Sequence, residues 1–453
     1  MRSCVGSIVV IAMVACAVPR GPTPTPLETV ADVWEGVLSS GSETHSMRLT
    51  LESDSSGFRG LVDLPDQYAL RYPVRNLAID GSSVTFEFPD PLPPSTFTGV
   101  FDGGGIHGTF TTRAGSRSTG GTFELARWSG EAVQYRVEPA RFASGDVQLR
   151  GSLFIPNSRG PHPAVVLLHG SGAQTRDSYI RYFADRFARS GIAALIYDKR
   201  NTGRTDIPLW QRGGGTFANF ANDATAAVRY LRAHPNLIDP RRIGLWGRSQ
   251  GAWIAPMAAE RIEGIAFLVL VSGGGVTPAR QELYDDEVKL RARGFSRAQI
   301  ARAMSLLRRA NAYVRSQSDA DWNRFRRELA DARDEPWFST LDRIPITLPR
   351  DSPAWKDTDL HYNPVPLLER LRLPVLVVLG EKDELTPSAE TARVTNVALR
   401  KARNPDYTVR VIPDATHGLW VMPRGSGSWL EQRPARGWVN EMVNWVVARA
   451  RRR

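Results

Sequence analysis

From about residue 148 to the C-terminus, short uninterrupted apolar runs alternate with longer amphipathic ones. The apolar runs PAVVLLHG, IAALIYD, RIGLW, IAFLVLVS and PVLVVLG are too brief for helices and show no polar alternation. Between and after them lie YIRYFADRFARSG, NFANDATAAVRYLRAHP, SAETARVTNVALRKA and VNEMVNWVVARA. Strands without a polar face must be buried on both sides, and helices with one apolar stripe supply the cover, so the pattern predicts an α/β domain around a mainly parallel sheet. LRGSLFIP leads into this region and YTVRVIP forms its last strand.

A different grammar precedes it. From about residue 31 to 126, segments such as HSMRLTLES, GFRGLVDLP and GGTFELAR alternate apolar and polar residues, with Gly and Asp-Gly turns about every ten residues. These predict an antiparallel meander, a small barrel or curved sheet, whose histidines His45 and His107 stand alone in the sequence. The expected division is a leader and tether at 1–26, an accessory β domain at 27–135, and the α/β domain at 136–453. An insertion at about 276–366 carries helical patterns, one capped by Ser296 with Ile300, Met304, Leu307 and Val314 on one face, and is expected to form a cap over a pocket.

The leader MRSCVGSIVVIAMVACAVPRGPTPTP joins a basic Arg2 to an uncharged run too brief to span a bilayer comfortably. It reads as an export signal, and Met13-Val14-Ala15-Cys16 resembles the bacterial lipobox, which implies acylation of Cys16 and a membrane-tethered, exported protein. The following PRGPTPTP suits a tether. Both cysteines of the chain, Cys4 and Cys16, lie in this leader, so the domains beyond it hold no disulfide. The net charge of +11 comes mainly from arginine, and no nucleic-acid-binding motif accompanies it. No Cys cluster, His-Glu-x-x-His pattern or phosphate loop implies a metal, nucleotide or other cofactor.

Between the strand RIGLW and the next helix stands WGRSQG, residues 246–251. Gly-x-Ser-x-Gly in a strand-to-helix context holds a serine on a sharp turn, because the residues two away on either side, Gly247 and Gly251, must clear the strand and helix. Together with LLHGSGAQ and YDKRNTGRTD, this segment resembles the α/β-hydrolase superfamily over roughly residues 140–450. The likeness is greatest to bacterial serine hydrolases and esterases related to dienelactone-hydrolase and prolyl-oligopeptidase catalytic domains.

The resemblance implies a Ser-His-Asp triad in the chain order serine, acid, histidine. Ser249 would be the nucleophile and His417, in PDATHG, the base. Asp383, in GEKDELTP, takes the family's acid position, with Glu381 and Glu384 as competitors and Asp414 as a poorer alternative close to the histidine. The backbone amides of Ser171 and Gln250 would bind the oxyanion, with Gly170 and Gly172 allowing the loop to approach the substrate. His169 is expected to brace that loop, and Asp198 and Arg200 to be loop structure. The expected activity is hydrolysis of a small-molecule carboxylic ester through an acyl-enzyme. Two alternatives are short-peptide cleavage, as in prolyl-oligopeptidase relatives, and an envelope ligand-binding protein whose hydrolase domain is an inactive scaffold.

Overall fold

The computed structural model describes residues 30–451 apart from 56, 89–91, 93, 115–116, 131, 201, 203–214, 342–345, 357–358 and 423–430. The leader, with Cys4, Met13 and Cys16, lies outside the described residues, as do Asn201 and 203–206 of the YDKRNTGRTD segment.

Nine strands make the N-terminal sheet: β1 (Val33–Ser40), β2 (Glu43–Asp54), β3 (Gly57–Leu64), β4 (Ala69–Pro73), β5 (Arg75–Asp80), β6 (Ser83–Glu87), β7 (Ser95–Phe101), β8 (Gly105–Ala114) and β9 (Arg117–Arg127). Their order is β4-β3-β2-β1-β9-β8-β7-β6-β5. Because β1 pairs antiparallel with both β2 and β9, the meander turns back on its own first strand, and its two edges are the consecutive strands β4 and β5. Period-2 patterning sends one set of side chains inward: burial alternates residue by residue along β7, and Trp34, Leu38, Phe86, Phe97 and Phe123 share a core separate from the rest of the molecule. The stacked Phe86 and Phe97 rings, 4.6 Å apart, lie in it. His45, solitary in sequence, is not solitary in space. Its Nδ1 stands 3.3 Å from the Asp66 carboxylate of its own domain, and its Nε2 2.7 Å from Arg433, a partner that the docking of the two domains supplies.

The second sheet contains β10 (Tyr135–Ser144), β11 (Val147–Pro156), β12 (His162–Leu168), β13 (Ala193–Tyr197), β14 (Ile238–Arg248), β15 (Leu268–Val271), β16 (Val375–Gly380) and β17 (Tyr407–Ile412), in the order β10-β11-β13-β12-β14-β15-β16-β17. β10 and β11 are antiparallel, and β13 through β17 run parallel. Helices α1 (Ile180–Arg189), α2 (Phe217–Arg232), α3 (Gly251–Arg261), α4 (Pro278–Ala292), α5 (Arg297–Ser316), α6 (Asp319–Ala332), α7 (Val365–Leu368), α8 (Ser388–Lys401) and α9 (Trp438–Ala450) follow in chain order. Residues of α2, α3 and α8 pack in the core on one face of the sheet, and those of α1 and α9 in the core on the other. This is the helix-covered, mainly parallel sheet that the apolar strands predict.

Helices α4 to α6 stand between β15 and β16 and build a small core of their own from Leu290, Ile300, Met304, Leu307, Phe325 and Trp355. The Ser296 hydroxyl accepts from Gln299 N while the Gln299 side chain accepts from Ser296 N, a reciprocal cap that fixes where α5 begins. Among the described residues no helix is long and apolar enough to cross a membrane.

One turn of the N-terminal sheet reaches deep into the α/β domain. A short 3-10 helix, Pro65–Gln67, ends at Tyr68 in the left-handed conformation (φ 53°), and the Tyr68 ring, fully buried, sits in the core formed by α1 and α9 rather than in that of its own sheet. Its hydroxyl donates to Leu419 O (3.3 Å) and accepts from Trp438 Nε1 (2.9 Å). Arg433 reaches back, donating to Glu43 Oε2 (2.8 Å) and Thr44 O (3.0 Å). Removing a buried aromatic leaves a cavity and lost contacts worth about 3–5 kcal/mol. Tyr68→Ala should therefore lower the urea midpoint of the α/β domain, read by tryptophan fluorescence, and Tyr68→Phe should cost about 1 kcal/mol. An unchanged midpoint in Tyr68→Ala would mean that the docking contributes nothing to stability.

Candidate active site

At the C-terminal end of β14, Ser249 is in the left-handed conformation at φ 55°, which costs a non-glycine residue on the order of 1 kcal/mol and must be held by its surroundings. What holds it is backbone on both sides. A Cβ on Gly247 would lie 2.0 Å from Gly251 O, and one on Gly251 would lie 2.6 Å from Leu168 O. Strand, turn, helix and the end of β12 thus meet at distances that only glycine at both positions permits. Ser249 N donates to Val271 O (2.8 Å), tying the turn to β15, and α3 begins two residues later.

Asp383 and His417 come together at the ends of β16 and β17. His417 Nδ1 lies 3.0 Å and 2.9 Å from the two Asp383 carboxylate oxygens, with both residues buried. Asp383 Oδ1 also accepts from Leu385 N (2.9 Å) and Thr386 N (2.7 Å), which fixes the carboxylate before the imidazole arrives. With Nδ1 engaged, Nε2 is the imidazole nitrogen left to exchange a proton. The competing acids are occupied elsewhere: Glu384 accepts from His417 N (3.1 Å) and Glu381 from Asp414 N (3.1 Å). Asp414 itself is an exposed left-handed turn residue. All three acids near Asp383 therefore shape the histidine loop, and Asp383 is the one that bonds the ring.

Ser272 links this pair to the turn. Its hydroxyl donates to His417 O (2.9 Å), and its backbone follows directly on Val271, the acceptor for Ser249 N. Arg248 adds a second tie, with a guanidinium N 3.5 Å from His417 O. From the insertion, the α4 residue Tyr284 donates to Asp383 O (3.0 Å), so the first helix of the insertion packs on the acid loop.

The loop after β12 faces the turn from the other side. The Cβ that Gly170 lacks would lie 3.5 Å from Ser249 Cβ, and Gly172 takes φ 84°. Gly170 N donates to the Tyr179 hydroxyl (3.2 Å), whereas neither Ser171 N nor Gln250 N has an acceptor among the described residues. Two unspent amides flanking a serine are what an oxyanion requires. His169 lies behind the loop with Nε2 2.7 Å from Tyr197 O, and burial pushes its pKa down to about 4, so the ring is neutral there. Asp198 accepts from Arg176 N (2.9 Å) and Nη1 (2.7 Å), and Arg200 pairs with Asp223 on α2. Both are engaged by these partners within the loop structure.

Lys199, between them, carries no signal in the sequence. It is only 6% exposed, and its Nζ donates to Gly170 O (2.9 Å), Gly172 O (3.1 Å) and Gln250 Oε1 (2.6 Å). Arg248, which has no such signal either, places its guanidinium over Tyr179 (4.6 Å) and Trp420 (6.0 Å). Trp420 in turn stacks on Tyr68 at 5.2 Å, which brings the N-terminal domain to the wall of the site. Among the described residues no group of His, Cys, Asp or Glu is arranged to hold a metal.

The alpha/beta hydrolase family profile matches residues 165–426, which include Ser249, Asp383, His417 and the loop of Gly170 to Gly172. The chain is 26% identical to the esterase EstD of Thermotoga maritima over 369 residues, covering 78% of this chain and 79% of that protein. It is 38% identical over 124 residues to the thiohydrolase apmlB of Arthrinium phaeospermum, a match confined to 27% of this chain and 38% of the fungal protein. Among solved structures it is similar to a dienelactone hydrolase from Anabaena variabilis, with a TM-score of 0.36 and 17% identity over 70% of this chain and 97% of the other. With more than half its length matched by the family profile and its helices layered on both faces of an eight-stranded sheet, the chain belongs to the alpha/beta hydrolase family.

Proposed function

We propose that the protein is a serine esterase that cleaves small-molecule carboxylic esters through an acyl-enzyme on Ser249. The observation that carries this reading is the clamp of His417 Nδ1 by Asp383 at 2.9 and 3.0 Å, one hydrogen bond away from the strand end that anchors Ser249. His417 takes the serine proton through Nε2 as the hydroxyl oxygen attacks the ester carbonyl. Asp383 keeps the ring in that tautomer and stabilises the imidazolium. The carbonyl oxygen, now anionic, receives the N–H groups of Ser171 and Gln250. Collapse expels the alcohol, which takes the proton from His417, and water then repeats the sequence to release the acid. The similarity to a Thermotoga esterase over most of both chains favours an ester over a peptide bond.

Ester turnover by the native chain should fall to background in Ser249→Ala. It should fall on the order of 10⁴-fold in kcat in Asp383→Asn, because the amide presents the wrong tautomer partner to Nδ1. A panel of p-nitrophenyl esters beside aminoacyl anilides measures both points; faster cleavage of the anilides would favour the peptidase reading, and undiminished turnover by Ser249→Ala would remove the serine mechanism.

We further propose that the enzyme is exported and tethered through lipid on Cys16, a reading supported by the leader MRSCVGSIVVIAMVAC and the Pro-rich stretch after it. Cys16→Ser should release the protein from the membrane fraction of a bacterial expression host; equal membrane retention of both forms would contradict the tether.

A further inference from the structure

We infer that Lys199 is a positioning residue that aims and polarises the oxyanion-binding N–H of Ser171, an inference that rests on the serine-hydrolase reading above. In a trans peptide the C=O of one residue and the N–H of the next point in opposite directions from one plane. Gly170 O and Ser171 N share such a plane, and Gly170 O is hydrogen-bonded to the Lys199 ammonium at 2.9 Å. Holding that carbonyl from behind turns the Ser171 N–H the other way. Gly172 O, which closes the same short loop, is held by the same ammonium at 3.1 Å, so the peptide cannot flip at either end.

The third contact joins the two halves of the oxyanion site. Lys199 Nζ donates to Gln250 Oε1 at 2.6 Å, and Gln250 is the residue whose backbone N–H is the other free donor. One side chain thus sets the spacing between two amides that belong to loops 80 residues apart in sequence, after β12 and after β14. A cation bonded to a carbonyl also draws charge along the peptide and strengthens the N–H at its far end as a donor. Burial of an ammonium is costly, and the three oxygens with the Phe220 ring at 4.4 Å account for its being tolerated here.

Among the described residues, the elements packed around Lys199 leave the ammonium without a counter-ion. On the β12 loop His169 is neutral, its pKa pushed down to about 4; on α2 the carboxylate of Asp223 is closed by Arg200; Asp198 is bound by Arg176; and the turn before α3 contributes the uncharged Gln250. Burial alone pushes Lys199 down to about 7. A lowered lysine pKa means the charge is present below it and lost above, so oxyanion stabilisation weakens as pH rises through the titration of this group.

The test is Lys199→Met, which keeps the aliphatic stem, assayed by thermal melt, by ester kinetics normalised to titrated active sites, and by calorimetric binding of an arylboronate that forms a tetrahedral adduct. The expected result is a native-like melt, KM within about threefold, kcat lower by roughly 10–100-fold, boronate affinity lower by a similar factor, and loss of the alkaline fall in kcat seen in the native enzyme. Unchanged kcat and boronate affinity in a folded variant would overturn the inference, as would a fall in kcat that only tracks a fall in melting temperature. Should Lys199→Met not fold, Gln250→Leu carries the test, because it removes the part-buried acceptor and keeps the backbone donor. Its expected kcat is roughly three- to tenfold lower at unchanged KM, and an unchanged kcat contradicts the cross-tie. A native chain with neither ester turnover nor boronate binding would overturn the serine-hydrolase reading and this inference with it.

Discussion

A left-handed serine squeezed between two backbones is the constraint on which the rest of this molecule depends. Gly247 and Gly251 allow β14, the turn, α3 and the end of β12 to approach within distances that no side chain would survive. The cost of φ 55° at Ser249 is offset by Ser249 N bonding into β15 and by the apolar packing of Trp246 and Ala252 on opposite faces of the sheet. From that point the other site residues follow by strand order: the loop after β12 faces the turn because β12 and β14 are neighbours, and the acid and histidine loops come from β16 and β17, beyond β15.

The polar groups of the site are held by few contacts, each with more than one role. Ser272 binds the histidine loop through its hydroxyl and continues the strand that anchors the serine. Tyr179 receives Gly170 N on its hydroxyl and the Arg248 guanidinium on its ring. Tyr68, delivered from the N-terminal sheet, bonds Leu419 two residues after His417 and stacks on Trp420. The N-terminal domain therefore buttresses the histidine loop. A change at its Pro65–Gln67 turn reaches the reaction centre through two contacts.

Much of this was legible in the sequence, for physical reasons that differ from element to element. Strands buried on both faces leave unbroken apolar runs, so PAVVLLHG and PVLVVLG mark the sheet, and Ser296 with Gln299 marks the start of α5. The glycines of WGRSQG mark the turn because steric exclusion acts over two residues. Spacing could not separate Asp383 from Glu381 and Glu384, since all three lie on one loop; resemblance pointed to Asp383, and the loop's folding gives each acid a different donor. Lys199 and Tyr68 escaped notice altogether. A lysine in a polar loop and a tyrosine in a turn have no periodicity to betray burial, and both are buried only because a distant segment covers them.

The central claim is that Ser249 is an activated nucleophile set by the His417–Asp383 pair. The most direct measurement is reaction of the full-length protein with a fluorophosphonate, followed by intact mass and peptide mapping. A single adduct is predicted, on the peptide that contains Ser249, forming at a rate that collapses in His417→Ala. An adduct on another residue, or none in protein whose thermal melt shows it folded, would contradict it.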